Sequence, residues 1–71
     1  MKRGTVCIVR DDSENFFRPG DIVVALEDNS IPYCCYLEKY NPNLHVYKYS
    51  FDDYSPLCDE ELEVLYDWSA K

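Results

Sequence analysis

Glycine is nearly missing from this chain. Gly4 and Gly20 are the only two in 71 residues, which leaves no glycine-rich loop to cradle a phosphate. Histidine is reduced to His45, set between Leu44 and Val46 in an alternating stretch. A Cys–His nucleophile needs a third group to hold the pair, and a lone strand histidine brings none. Basic residues are scarce too, with seven Lys and Arg against fourteen Asp and Glu and a formal net charge of −7. Tyr33, Tyr36, Tyr40, Tyr47, Tyr49 and Tyr54 would be numerous enough to stack on bases. The basic stripe of a nucleic-acid footprint is nevertheless lacking, and the acidic excess repels a phosphate backbone at long range. No segment approaches the roughly 20 apolar residues that span a membrane. The apolar stretch Thr5–Val9 is also too short for a signal-peptide core. These absences point to a cytoplasmic protein that is not an enzyme, with no cofactor or metal and no membrane or nucleic-acid partner.

The cysteines fit the same compartment. Cys7, Cys34, Cys35 and Cys58 are expected as reduced thiols, Cys7 and Cys35 serving as small buried hydrophobes. Zinc ligands normally sit two to four residues apart, whereas Cys34 and Cys35 are adjacent and would point to opposite faces of a strand. The acid pairs Asp11-Asp12 and Asp52-Asp53 lack the alternating oxygen ligands of a calcium loop and read as solvated charge.

What the chain does have is hydrophobic content of 46%, with 15% aromatic residues, enough to argue against disorder. A folded chain of 8.4 kDa should expose roughly 4,600 Å², burying about 60% of its unfolded surface. That is one small domain, residues 1–66, followed by a flexible tail over 67–71.

Strand signals dominate. Residues 5–10 are rich in β-branched side chains. The continuous apolar run within 21–27, bounded by Pro19-Gly20 and Asp28-Asn29-Ser30, fits a strand buried on both sides. Residues 31–39 and 44–51 alternate, with a turn at 40–43 built on Asn and Pro. Ser55-Pro56 interrupts the chain, 56–61 suits one short helical turn, and 62–66 suits a closing strand. The expected core is Val6, Ile8, Ile22, Val24, Leu26, Tyr33, Cys35, Leu37, Val46, Leu62 and Leu65.

Five short strands with a ten-residue loop after the first have the rhythm of a small barrel. The segment Gly4-Thr5-Val6-Cys7-Ile8-Val9, the step Phe17-Arg18-Pro19-Gly20-Asp21-Ile22-Val23-Val24 and the closing Glu61-Leu62-Glu63-Val64-Leu65 resemble an SH3-like small barrel of the KOW and Tudor-like kind. The resemblance implies an all-β, five-stranded barrel with one short helical turn before the last strand. It extends to small accessory proteins of bacteriophages and mobile elements. The Ala-Leu-Tyr-Asp-Tyr signature of SH3 domains is absent, and Trp68 lies near the C-terminal end.

In such barrels the connections cluster beside one open face, so acidic and aromatic groups there would share a surface. The candidate partner-binding residues are Asp11, Asp12, Glu14, Phe16, Phe17, Tyr47, Tyr49, Asp52, Asp53 and Tyr54. Rings supply contact area, while carboxylates steer and pair Lys or Arg on a protein partner with a basic surface. Three readings follow: an inhibitor of phage type that blocks a basic groove on a host nucleic-acid or defence protein, an adaptor reading a Pro-rich or Arg/Lys-containing peptide, and a homodimeric structural subunit. Against all three stands a plainer reading, in which acidic loops keep a small domain soluble and tyrosine fills a barrel poor in leucine.

Overall fold

A computed structural model describes residues 1–44 and 53–70. The chain is all-β: β1 (Thr5–Val9), β2 (Ile22–Ala25), β3 (Tyr33–Tyr36), β4 (Ser55–Pro56) and β5 (Leu62–Asp67) form one antiparallel sheet. Its strand order is β4-β3-β2-β1-β5, and among the described residues the outer strands β4 and β5 do not pair with each other. Helical structure among these residues is limited to 3₁₀ turns at Leu37–Lys39, Asp59–Glu61 and Trp68–Ala70. The exposed surface is 4558 Å², as expected from mass.

The three central strands are buried on both faces. Val6, Val24 and Cys35 align across β1, β2 and β3 on one side, all fully buried. On the other, Cys7, Val9, Val23 and Cys34 pack with Phe17, Leu57 and Leu62 into the main cluster. The sequence-derived core lay mostly on the first face, and there Val6, Val24, Leu26 and Cys35 are buried, with Leu62 buried in the opposite cluster. Ile8, Ile22, Tyr33 and Leu37 are only half-buried, and Leu65 is 45% exposed. The reason at Leu65 is a register shift: Val6 pairs with Tyr66 but Cys7 with Val64, so Leu65 is the extra residue of a bulge. Val46, with the strand expected over 44–51 beyond Leu44, lies outside the described residues.

Two further expectations change. The strand expected over 31–39 is confined to 33–36, because it begins after Pro32, which has no N–H for a ladder, and turns 3₁₀ at Leu37. Ser55-Pro56, read as an interruption, is β4 itself, pairing with Cys34 and Tyr33 at the sheet edge where proline is tolerated. The helical turn before the last strand is present, over three residues. At the C-terminal end, Asp67 pairs with Thr5, the Trp68 N–H donates to the Gly4 carbonyl at 2.8 Å, and the Trp68 ring meets Tyr40 edge-on.

The long loop between β1 and β2 is held at both ends. It closes through a Pro19-Gly20 turn, where the Asp21 N–H donates to the Arg18 carbonyl at 3.0 Å and Gly20 takes a φ of +98°, a conformation that side chains disfavour. At its start the Arg10 N–H donates to the Glu61 carbonyl at 2.7 Å, tying the loop to the turn before β5.

Candidate functional site

Loop 10–21 is organised by Asp12. Its Oδ1 accepts from the Glu14 N–H at 3.0 Å, and its Oδ2 from the N–H groups of Phe16 and Phe17 at 3.0 and 2.8 Å. The Asp12 carbonyl accepts from the Asn15 N–H at 2.9 Å, and Asn15 takes the left-handed conformation at φ 58°, which asparagine tolerates. The winding drives Phe17 into the core and leaves Phe16 half-buried above it, ring centroids 4.8 Å apart and edge to face. Glu14 stays exposed at the tip.

That tip forms one wall of a groove. Glu14, Asn15 and Phe16 face Tyr33 of β3 and Tyr54, Ser55 and Pro56 at β4 across a hollow of about 440 Å³. Register places Pro56 directly beside Tyr33. The Ser55 hydroxyl donates to Glu14 Oε2 at 3.5 Å, linking the walls, and the Tyr33 N–H donates to Glu27 Oε1 at 3.1 Å. Burial, followed by the charges of Cys35 and Asp53, raises the Tyr54 hydroxyl above the usual tyrosine range, so the ring presents a neutral O–H. The groove can therefore offer one carboxylate, three aromatic faces and a proline edge to an extended ligand.

The sequence-derived site is thus partly assembled and partly dispersed. Glu14, Phe16 and Tyr54 come together. Asp11 is exposed on the same loop, its Oδ1 accepting from the Asp12 N–H at 2.9 Å. Asp53 is already paired with Lys39 at 3.0 Å. Asp12 and Phe17 leave the surface altogether, at 3% and 2% exposure, because one caps backbone N–H groups and the other fills the core. Tyr47, Tyr49 and Asp52 lie outside the described residues. Asn15, Ser55 and Pro56 were missed, and Tyr33 had been assigned to the core. Pro56 carried a signal in its spacing from Tyr33 only if Ser55-Pro56 was recognised as a strand.

Glu61 braces the groove-bearing loop from behind. Its Oε1 accepts from the Cys58 N–H at 3.1 Å and the Cys58 thiol at 3.2 Å, and its Oε2 from the Ser13 N–H at 2.8 Å. Hydrogen bonds from Ser13 and Cys58 hold this carboxyl below the usual glutamate range. A depressed folded value means the stabilisation is fully present above the ordinary glutamate value and is lost as pH falls through the folded one. Glu61→Gln should therefore cost about 1–2 kcal/mol at neutral pH. In urea melts the gap from the parent protein should narrow toward roughly pH 3, below the ordinary glutamate value. A gap that stays constant with pH would show that Glu61 contributes shape rather than charge.

Burial raises three thiols: Cys7 and Cys35 to about 11, and Cys34 further, with the Cys7 and Cys35 charges adding to its shift. Among the described residues no three His, Cys, Asp or Glu side chains converge so as to hold a metal ion, and no helix is long and apolar enough to cross a membrane. Compared with known proteins, the chain matches no family model, no curated protein and no solved structure. The functional argument therefore rests on the groove.

Proposed function

We propose that the protein is a non-enzymatic binding module whose acidic, aromatic groove receives an extended, basic segment of a partner protein. One observation carries the reading: Glu14 stands over Phe16, Tyr33, Tyr54 and Pro56 in a single groove. Rings and a proline edge grip an extended chain without demanding one side chain, and the carboxylate selects Arg or Lys.

The strand order, the long loop after β1 and the 3₁₀ turn before β5 support the SH3-like small-barrel reading of the fold. They do so by arrangement, and fold alone assigns no function. The groove favours an adaptor that reads a Pro-rich or Arg/Lys-containing peptide over an inhibitor that lays an acidic surface across a basic groove. An inhibitor of that kind needs a field of available carboxylates. Here Asp12 is buried, Glu61 is bonded within the fold, and Glu63 and Asp53 pair with Arg10 and Lys39 at 3.1 and 3.0 Å.

The test is fluorescence titration with a proline-rich peptide carrying one arginine, against the same peptide with alanine in its place. The arginine peptide should bind at least roughly ten-fold tighter to the parent protein, and Glu14→Lys should erase that preference. Because Glu14 is exposed, the substitution should change stability by no more than about 0.5 kcal/mol. An arginine preference that survives Glu14→Lys would remove the groove from the argument.

A further inference from the structure

The opposite end of the sheet carries a second surface. β5 is an outer strand, bonded to β1 alone among the described residues, and at six residues it is the longest in the sheet. An antiparallel outer strand turns every second residue's N–H and C=O away from its neighbour, which is a template for another strand. Here the template carries apolar side chains in the open. Val64 is 59% exposed and Leu65 45% exposed, and beside them lies a hollow of about 360 Å³ lined by Met1, Thr5, Asp59, Leu62 and Val64.

We propose that β5 docks an extended segment of a different protein, in which apolar residues alternate with lysine or arginine. The charge on the page selects this occupant. Asp59 and Glu60 precede β5, Glu63 and Asp67 lie within it, and the strand has no Lys or Arg of its own. A second copy would therefore bring carboxylates to carboxylates with no cation from either strand. Pairing about Leu65 sets Glu63 against Asp67 twice, and like charges opposite one another destabilise a sheet. Two chains of formal charge −7 also repel before contact. A basic alternating strand reverses each of these terms. Its apolar residues reach Val64 and the hollow, and its cations meet Asp59, Glu63 and Asp67.

The bulge at Leu65 limits the geometry. Regular pairing is confined to residues 62–64, with the Leu65 side chain added as an apolar contact beyond the ladder. Binding should therefore be weak and sensitive to the loss of single backbone donors. The surface is separate from the groove, since β4 and β5 are the two outer strands of one sheet. It goes beyond the proposed function, giving the module a second partner side.

The experiment is a ¹⁵N-resolved NMR titration of the full chain with a seven-residue peptide alternating valine and lysine. Two controls accompany it: a valine–glutamate peptide, and the valine–lysine peptide with alternate backbone nitrogens methylated. Amide shifts should concentrate on residues 62–65, the glutamate peptide should give none, and methylation should weaken binding at least roughly ten-fold. Shifts centred on Glu14 and Phe16 instead, no shift at all, equal binding of the methylated peptide, or a dimer through β5 seen by sedimentation would each overturn the proposal. The arginine preference tested at Glu14 is read independently, so either surface can fail alone.

Discussion

Asp12→Ala should remove about 3 kcal/mol of stability, because the N–H groups of Glu14, Phe16 and Phe17 lose their acceptor together. A chain of this length has roughly 4–10 kcal/mol in all, so the loss is a large share. The midpoint of thermal unfolding should fall by roughly 12–24 °C. Asp12→Asn is the sharper variant. Its amide keeps one acceptor oxygen but turns an NH₂ toward backbone donors, and it should still cost about 2 kcal/mol. Asp11→Ala, one residue earlier and exposed, should cost under about 1 kcal/mol. Hydrogen exchange would locate the damage, with the amides of Glu14, Phe16 and Phe17 losing protection before the strands do. If Asp12→Ala lost no more than Asp11→Ala, the loop would be held by Glu61 and the core rather than by Asp12.

Phe17→Ala should be of similar or larger size, about 3–5 kcal/mol. Phe17 is 2% exposed, meets Phe16 and Tyr36 edge-on at 4.8 and 5.1 Å, and packs in the cluster with Leu57 and Leu62. Removing the ring opens a cavity whose walls belong to a sheet and cannot close on it. Phe16→Ala, at a half-buried ring, should cost about 1–2 kcal/mol while weakening ligand capture in the groove. The adjacent pair thus separates two roles, stability at Phe17 and recognition at Phe16. Urea unfolding of both variants beside the peptide titration checks it, and equal stability losses would refute the division.

The sequence made the strands of the central sheet legible for a physical reason. Unbroken β-branched runs such as 21–27 leave little alternative to a strand buried on two sides, and β2 is buried in that way. The same property hid the main core. When both faces are apolar, alternation cannot say which one gathers the loops, and the decisive contributions come from Phe17 and Leu57 outside the strands. Position 65 failed for another reason. A bulge is an insertion in register against a partner strand, invisible in a run that alternates cleanly on its own. At the site, Asp11 and Asp12 look alike as letters. Only the winding of the loop makes one a solvated charge and the other a buried acceptor. Glu14, Phe16 and Tyr54 were legible as types, acidic and aromatic residues in connections, but the groove uniting them needed Pro56 as strand.

Adjacent Cys34 and Cys35 stand back to back through the plane of the sheet, each sealed and protonated. Cys7 shares the side of Cys34, while half-buried Cys58 sits outside at the 3₁₀ turn. The fold therefore contains its own chemical clock. An alkylating reagent in neutral buffer has ready access to Cys58 alone, and each later addition records a separate breach. Modification of Cys7 and Cys34 times the parting of loop 10–21 from the sheet, and modification of Cys35 times exposure of the reverse side. The order of those masses would give the sequence in which the protein comes apart, without a label being introduced.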